Sequence, residues 1–127
     1  MIWNPERECM DRESLKKLQS ERLVRIVKHA YDNVPFYKKK MDDMGLKPSD
    51  IKSIDDISKL PFTVKTDLRE NYPDGLFAVD RSEIIRLHAS SGTTGKPIVA
   101  GYTAHDVENW KEGVARCLTA YGASKED

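Results

Sequence analysis

Residues 88–97 read His88-Ala-Ser-Ser-Gly-Thr-Thr-Gly-Lys-Pro97, and this stretch guides the interpretation of the whole chain. Its last eight residues contain four hydroxyl side chains, two glycines and one lysine. Glycine lets the backbone turn tightly and approach a ligand, and the amides freed in such a turn form an anion-binding nest. Hydroxyl groups donate hydrogen bonds, and Lys96 adds a positive charge. The composition therefore predicts a loop that holds a polyphosphate rather than a plain hairpin turn.

Two common phosphate-binding motifs do not fit this loop. A Walker-type P-loop needs glycine at the position of Ser90 and serine or threonine at the position of Pro97. A dinucleotide-binding fingerprint needs GxGxxG, which does not occur, and it leads into a helix. Here the loop leads into Ile-Val-Ala-Gly-Tyr, a strand-like run at 98–102.

The sequence around the loop has the period of strands. Three runs of apolar and β-branched residues predict β-structure, at 76–79, 84–88 and 98–102. The loop at 89–97 is expected to join the last two runs as a hairpin. Thr103 is a good N-cap for a final helix at about 104–121, which Gly122 would end. The apolar face of this helix would consist of Val107, Trp110, Val114, Cys117 and Leu118.

Upstream of residue 76 the pattern predicts helices. Residues 1–10 are expected to be an extended entry segment, followed by a helix from Asp11 or Arg12 to about Tyr31. Its apolar residues recur at spacings of three and four, which gives one stripe. The stripe consists of Leu15, Leu18, Leu23, Ile26, Val27 and Ala30.

Shorter helical segments are expected next. A second helix is predicted at 35–44, with Pro35 at its start and Gly45 as its C-cap. Ser49, Ser53 and Thr63 are each placed to cap a further short helical turn. We therefore expect a mainly helical region at 1–75. At 76–127 we expect the hairpin and last helix as an incomplete part of a larger domain, with an α/β fold class that becomes α+β for the isolated chain.

Composition excludes several classes of protein. The 127 residues include 21 basic and 21 acidic side chains, so the net charge of zero does not favour binding to nucleic acid or to an anionic membrane. No signal peptide or membrane-spanning run is present, so we expect a cytoplasmic protein. Cys9 and Cys117 lie far apart, which favours two separate thiols, buried or unused, over a disulfide or metal pair. The three histidines are scattered and predict no metal site.

The loop is similar to the phosphate loop of adenylate-forming enzymes, the superfamily of acyl-CoA synthetases. Its usual form there is Ser/Thr-Ser/Thr-Gly-Thr/Ser-Thr-Gly-x-Pro-Lys. In this chain Lys96 precedes Pro97 and Ile98 takes the place of the common lysine, a departure that resembles the phenylacetate–CoA ligase family. Other stretches resemble that family's amino-terminal region in the same order, and the resemblance covers nearly the whole chain. They are WNPERE, LVRIVKHAYDNVPFYKKK, DDISKLPFTVKTDLRENYPDGLFAV and IIRLHASSGTTGKPIVAGYT.

The resemblance implies a two-step reaction. The carboxylate of phenylacetate or another aryl acetic acid attacks ATP to give an acyl-adenylate and pyrophosphate, and the thiol of CoA then displaces AMP. Mg²⁺ would lie near the threonine hydroxyls of the loop. The phosphates of ATP would be contacted by Ser90, Ser91, Gly92, Thr93, Thr94, Gly95 and Lys96.

The same resemblance implies that this chain is a piece of a larger enzyme. The groups that bind adenine and the acid, and a late catalytic lysine, belong to parts of the family beyond these residues, so no catalytic residue is assigned here. We expect the chain to be inactive alone and to form a homodimer through apolar surface left uncovered.

Two alternatives stay open at this stage. One is an adenylyltransferase that modifies a deazaflavin coenzyme, which shares much of this amino-terminal pattern. The other is a non-catalytic interaction module in which the loop has no chemical role. The role of His88 is also open, because it lies just before the loop and would either approach the nucleotide or pack against the hairpin.

Overall fold

The structure is a computed structural model that describes residues 1–90, 97–124 and 126–127. Its first part contains helices α1 to α4, at Pro5–Glu8, Arg12–Asn33, Pro35–Asp43 and Lys65–Glu70. Short 3₁₀ helices lie at Pro48–Asp50, Ile54–Lys59 and Arg81–Glu83. Strands β1 and β2 and helix α5 follow, at Ile84–Ala89, Val99–Thr103 and Ala104–Ala120. The predicted α/β class, with helices, then a hairpin, then a last helix, is confirmed.

The start of α2 is fixed by Asp11, as predicted. The Asp11 carboxylate accepts hydrogen bonds from the amides of Glu13 and Ser14, at 3.0 and 2.9 Å. These are two of the amides that the first turn of a helix leaves without a helical partner. The helix ends where Val34 adopts an extended conformation ahead of Pro35, because a residue before proline avoids the helical region.

A small core lies where α2, α3 and the following connection meet. Val27 from α2, Met41 from α3 and Ile51 are 6%, 3% and 2% exposed. Burying a side chain of this size contributes about 1.5–3 kcal/mol relative to leaving it exposed. The residues that pack around this core are Leu23, Tyr31, Leu46 and Leu60.

Two glycines end helices by the same geometry, as predicted. Gly45 after α3 and Gly122 after α5 have φ of 68° and 101°, a backbone conformation that side chains disfavour. After α3, the amide of Leu46 donates to the carbonyl of Met41 and that of Gly45 donates to Asp42, both at 2.9 Å. This pair of bonds is the Schellman motif, which satisfies carbonyls that the last turn leaves free.

Four local predictions were wrong. Residues 1–10 are not wholly extended, because the Asn4 side chain caps one helical turn that Pro5 opens. Ser49 lies inside its 3₁₀ helix, whose entry is held by the Asp50 carboxylate, which accepts from the Lys47 amide at 2.8 Å. Thr63 precedes the N-cap of α4 by one residue.

Residues 76–79 are the fourth correction, because they do not form a strand. The amide of Phe77 instead donates to the carbonyl of Asp74 at 2.9 Å and closes a turn. Their four consecutive apolar side chains are all partly buried, and the Phe77 ring packs over Gly101 of β2. The run of apolar residues at 76–79 therefore indicates burial and not pairing in a sheet.

The hairpin and α5 form one continuous unit. β1 pairs antiparallel with β2, with His88 opposite Ala100 and Arg86 opposite Tyr102. β2 leads directly into α5 through Thr103, whose hydroxyl accepts from the Asp106 amide at 3.2 Å. The Asp106 carboxylate accepts from the Thr103 amide at 2.9 Å, so each end of this capping box satisfies the other. The N-cap prediction for Thr103 is confirmed.

The predicted apolar face of α5 is present but largely uncovered. Val107 is 8% exposed, whereas Trp110, Val114 and Leu118 are 43%, 45% and 54% exposed. Another side of α5 borders an open groove of about 1060 Å³, which lies between α5, α2 and the amino-terminal segment. In the part of the chain that the structure describes, no helix is both long and apolar enough to cross a membrane.

Candidate functional site

The two ends of the predicted phosphate loop are held together by Ser90 and Ile98. The Ser90 amide donates to the Ile98 carbonyl at 3.0 Å, and the Ile98 amide donates to the Ser90 hydroxyl oxygen at 3.1 Å. These bonds extend the β1–β2 ladder by one step, so the loop leaves and re-enters the hairpin at adjacent positions. Because Ser90 uses its oxygen as an acceptor, its hydroxyl proton is still available for donation.

Ser90 is the one predicted site residue that the structure describes. The other six lie outside the described residues, and their contacts with phosphate stay predictions. They are Ser91, Gly92, Thr93, Thr94, Gly95 and Lys96.

An aromatic cluster, formed by His88, Tyr102 and Trp110, lies at the base of the loop. The His88 ring centroid is 5.2 Å from that of Tyr102 and 5.3 Å from that of Trp110, with interplanar angles of 62° and 70°. Tyr102 and Trp110 are stacked, at 5.5 Å and 25°. Edge-to-face and stacked rings at such distances attract each other beyond simple burial. Of the two roles left open for His88, the described structure shows packing against the hairpin and α5.

Strand geometry explains why these rings meet. Side chains that pair across a ladder share a face, and His88 is diagonal to Tyr102 because it pairs with Ala100. Trp110 reaches the same face from α5, which follows β2 without a connecting loop. The sequence analysis placed Trp110 on an apolar helix face and did not pair it with His88.

The amino-terminal segment is tied to α5 through Glu112. Its carboxylate accepts from the Trp3 indole at 2.9 Å, from the Asn4 amide group at 2.7 Å and from Arg116 at 2.8 Å. These bonds, that from Arg116 first, lower the pKa of the Glu112 carboxyl from 4.5 to about 2. This contact was not predicted from the sequence, although the polar groups of Trp3 and Asn4 inside WNPERE indicate a segment able to form hydrogen bonds.

The groove between α2 and α5 is positively charged. Arg7, Arg22 and Arg25 line it, and none of them forms an ion pair with a residue in the described ranges. Arg116 also lines the groove but is paired with Glu112. The groove carries no residue of β1 or of the described loop ends, so it is separate from the predicted phosphate site.

The three consecutive lysines of α3 are engaged within the fold. Lys38, Lys39 and Lys40 pair with Asp42, Asp43 and Asp67 at 3.7, 2.5 and 2.8 Å. Lys40 also donates to the carbonyl of Phe62 at 2.7 Å, which ties α3 to the entry of α4. Of the three lysines, Lys40 therefore joins α3 to α4, whereas Lys38 and Lys39 form pairs along α3 itself.

The described cysteine, histidine and acidic side chains are not grouped as metal ligands. Cys9 and Cys117 are both free and both exposed, so of the two expected states, buried or unused, burial does not apply. Across 1–90, 97–124 and 126–127, no group of three or more His, Cys, Asp or Glu side chains is arranged to hold a metal ion.

The fold is shared with solved structures of adenylate-forming CoA ligases. One is 2-hydroxyisobutyryl-CoA ligase in complex with 2-HIB-AMP and CoA, with a TM-score of 0.81 and 35% identity, covering 91% of this chain and 25% of that chain. Another is the same ligase in complex with R3-HIB-AMP, with a TM-score of 0.82 and 30% identity over 96% of this chain and 26% of that one. In its described residues, the chain is therefore similar in fold to part of these CoA ligases.

Within that class, the resemblance to phenylacetate–CoA ligases is confirmed. The phenylacetate-coenzyme A ligase of Thermus thermophilus is 52% identical over 123 residues, which are 97% of this chain and 28% of that protein. The Escherichia coli protein of the same name is 50% identical over 115 residues, 91% of this chain and 26% of its own length. No family model matches the chain. The chain thus spans about a quarter of the length of the curated relatives it matches.

Proposed function

We propose that this chain is the phosphate-loop portion of a phenylacetate–CoA ligase. The observation that carries the proposal is the 52% identity to a phenylacetate-coenzyme A ligase over 97% of the chain, a span that includes the loop. The antiparallel hairpin closed by Ser90 and Ile98 supports it, because it brings the two ends of the loop together. The full reaction is ATP-dependent activation of an aryl acetic acid, followed by transfer to CoA.

In the first step, the acid's carboxylate oxygen attacks the α-phosphorus of ATP, and the bond to the bridging oxygen of pyrophosphate breaks. The products are an acyl-adenylate and pyrophosphate. In the second step, the sulfur of CoA attacks the acyl carbon and AMP leaves. Both steps bring negative groups together, so positioning and charge neutralisation dominate the catalysis.

The loop serves the first step by holding the β- and γ-phosphates. Backbone amides at Gly92 and Gly95 and the hydroxyls of Ser91, Thr93 and Thr94 are suited to donate to phosphate oxygens. Lys96 adds the charge-assisted contact that strengthens toward the leaving pyrophosphate. Ser90 holds the loop closed through Ile98 and retains one proton to donate.

Mg²⁺ fits this donor set when it is bound together with ATP. The ion prefers oxygen ligands and usually keeps several waters while it binds substrate phosphates, so hydroxyls beside the phosphates suit it better than a dedicated cage. It would supply charge neutralisation at the phosphates. The described residues offer no acidic cluster to compete for it.

Product identification tests the proposal directly. A protein of ligase length that carries this sequence is incubated with ATP, Mg²⁺, CoA and phenylacetate, and the products are separated and identified by mass spectrometry. The expected products are phenylacetyl-CoA, AMP and pyrophosphate in equal amounts. Formation of none of them by a folded protein would contradict the proposal for phenylacetate, and a panel of other aryl acetic acids then tests the class.

The two competing functions give different results in the same assay. A deazaflavin adenylyltransferase would release pyrophosphate when given the deazaflavin, without an acid and without consuming CoA. A non-catalytic interaction module would turn over neither substrate. The homodimer and the cytoplasmic location expected from the sequence stay predictions, as does inactivity of the isolated chain.

A further inference from the structure

We propose that the aromatic cluster of His88, Tyr102 and Trp110 is a positioning device for the phosphate loop. It joins the strands that carry the loop to α5, so that the two loop ends, Ser90 and Ile98, are held in one orientation relative to α5. This inference rests on the proposed function, because it takes the loop to bind nucleotide. The three side chains are positioning residues and are not assigned contact with the substrate.

The geometry of the cluster favours this role over simple packing. Each ring contacts the other two, at 5.2, 5.3 and 5.5 Å, so the contacts close a triangle that spans β1, β2 and α5. Removing any one ring breaks two of the three contacts. Because aromatic pairs prefer particular relative orientations, a closed triangle restricts the angle between the hairpin and the helix as well as their distance.

The cluster lies next to the loop. His88 precedes Ser90 by two residues, and a strand rises about 3.3 Å per residue, which places the two backbones about 7 Å apart. Ala100 is opposite His88 in the ladder and carries only a methyl group, which leaves space for the Trp110 ring on that face. A tilt of the hairpin at the cluster would therefore move both loop ends, Ser90 and Ile98, together.

Apart from the direct β2–α5 junction with its Thr103–Asp106 capping box, few contacts among the described residues hold the hairpin in place. On the opposite face of β1, Ile85 and Leu87 are 61% and 62% exposed, so packing there is sparse among the described residues. The Phe77 ring over Gly101 supports that face but does not reach α5 through any described ring contact. The aromatic cluster thus adds a contact between β1 and α5 to the direct junction of β2 with α5.

The test uses the two tryptophans of the chain, Trp3 and Trp110. In the 127-residue chain carrying Trp3→Phe, Trp110 is the only indole, and its fluorescence is followed during titration with MgATP and, separately, with inorganic pyrophosphate up to millimolar concentration. Affinities are measured in parallel by calorimetry. We expect a saturable change in Trp110 emission at the concentrations at which calorimetry reports binding.

Variants separate positioning from general stability. Trp110→Ala breaks two ring contacts and is expected to weaken pyrophosphate binding by roughly fourfold to a hundredfold, since each contact corresponds to a factor of about two to ten. Trp110→Phe retains a ring and should restore affinity to within about threefold. Tyr121→Ala is the matched control, because that ring is 92% exposed and makes no described ring contact. If Trp110→Ala does not fold, as judged by circular dichroism, Tyr102→Leu replaces it.

The outcomes distinguish the two proposals. Equal affinity in folded Trp110→Ala and in the parent chain would overturn the positioning role and leave the phosphate loop intact. Saturable binding with unchanged Trp110 emission would overturn it as well. Failure of the parent chain to bind inorganic pyrophosphate, the ligand that needs only the loop, would instead overturn the assignment of the loop, and with it the inference that rests on it.

Discussion

The hydroxyl oxygen of Ser90 accepts a 3.1 Å hydrogen bond from the amide of Ile98, a residue eight positions later in the chain. The same two residues are joined by a backbone bond of 3.0 Å from the Ser90 amide to the Ile98 carbonyl. The Ser90 side chain therefore takes the place of a second backbone hydrogen bond and extends the pairing of the two strands by one residue. The consequence is that a residue predicted to contact phosphate also holds the loop closed.

Ser90→Ala is expected to loosen this closure. It removes the acceptor for the Ile98 amide, and a neutral hydrogen bond of this kind contributes about 0.5–1.5 kcal/mol. Binding of MgATP should weaken by roughly twofold to tenfold in calorimetry. Ser90→Thr keeps the oxygen and is the matched control. An unchanged affinity for Ser90→Ala would show that the Ser90 hydroxyl contributes nothing to the loop.

Gly101→Ala is expected to destabilise the hairpin. A Cβ at this position would lie 2.7 Å from Cζ and 2.8 Å from Cε2 of Phe77, so the ring would have to move out of its place on β2. Overpacking of this kind costs about 1–3 kcal/mol in thermal or urea unfolding.

Gly113→Ala provides the opposite case. A Cβ there meets nothing within 4 Å, and the residue lies inside α5. Replacing a helical glycine in open space should raise stability by about 0.5–1 kcal/mol. If both alanine variants changed the free energy of unfolding in the same direction, the close contact between Phe77 and Gly101 would not explain the effect of Gly101→Ala.

The attachment of Trp3 should depend on pH through Glu112. The carboxyl has a folded pKa of about 2 against an ordinary 4.5, so its stabilising effect is complete above pH 4.5 and is lost as the pH falls toward 2. We expect Trp3 fluorescence, followed in a Trp110→Phe variant, to change within that window. Glu112→Gln should abolish this pH dependence, whereas Glu108→Gln, which removes only the exposed pair with Lys111, should leave it.

The uncovered face of α5 should promote self-association of the 127-residue chain. Val114 and Leu118 are 45% and 54% exposed and lie on one side of the helix. Replacing both with lysine should shift the chain toward monomer in light scattering after size-exclusion chromatography. Glu108→Lys adds charge to α5 without removing an apolar side chain and should have a smaller effect. Association that survives the double substitution would place the interface elsewhere.

Much of the fold could be predicted because its signals are local. Asp11, Gly45, Thr103 and Gly122 mark helix ends through their own side chain or lack of one, and all four do so in the structure. The hairpin followed from two apolar runs flanking a glycine-rich turn. The prediction that Thr63 caps α4 was wrong because Asp67, inside the helix, accepts a hydrogen bond from the amide of the N-cap residue Val64 at 3.0 Å.

The contacts that local pattern missed are long-range. The Trp3–Glu112 hydrogen bond joins residues 109 positions apart, and no spacing rule connects them. The meeting of His88 with Trp110 depends on how α5 crosses the hairpin, which is set by packing and not by either segment alone. Most of the predicted apolar face of α5 is open among the described residues, in agreement with the expectation that apolar surface stays uncovered.

Acid-dependent exchange of pyrophosphate into ATP tests the central claim, that residues 90–97 hold the phosphates of ATP in an adenylate-forming reaction. It is measured on a ligase-length protein carrying this sequence, with and without phenylacetate, and on its Lys96→Ala and Lys17→Ala variants. We predict exchange that requires the acid, a fall of roughly tenfold to a hundredfold for Lys96→Ala from loss of a contact of about 1.5–3 kcal/mol, and no change for Lys17→Ala. Exchange that is unaffected by Lys96→Ala would contradict the claim.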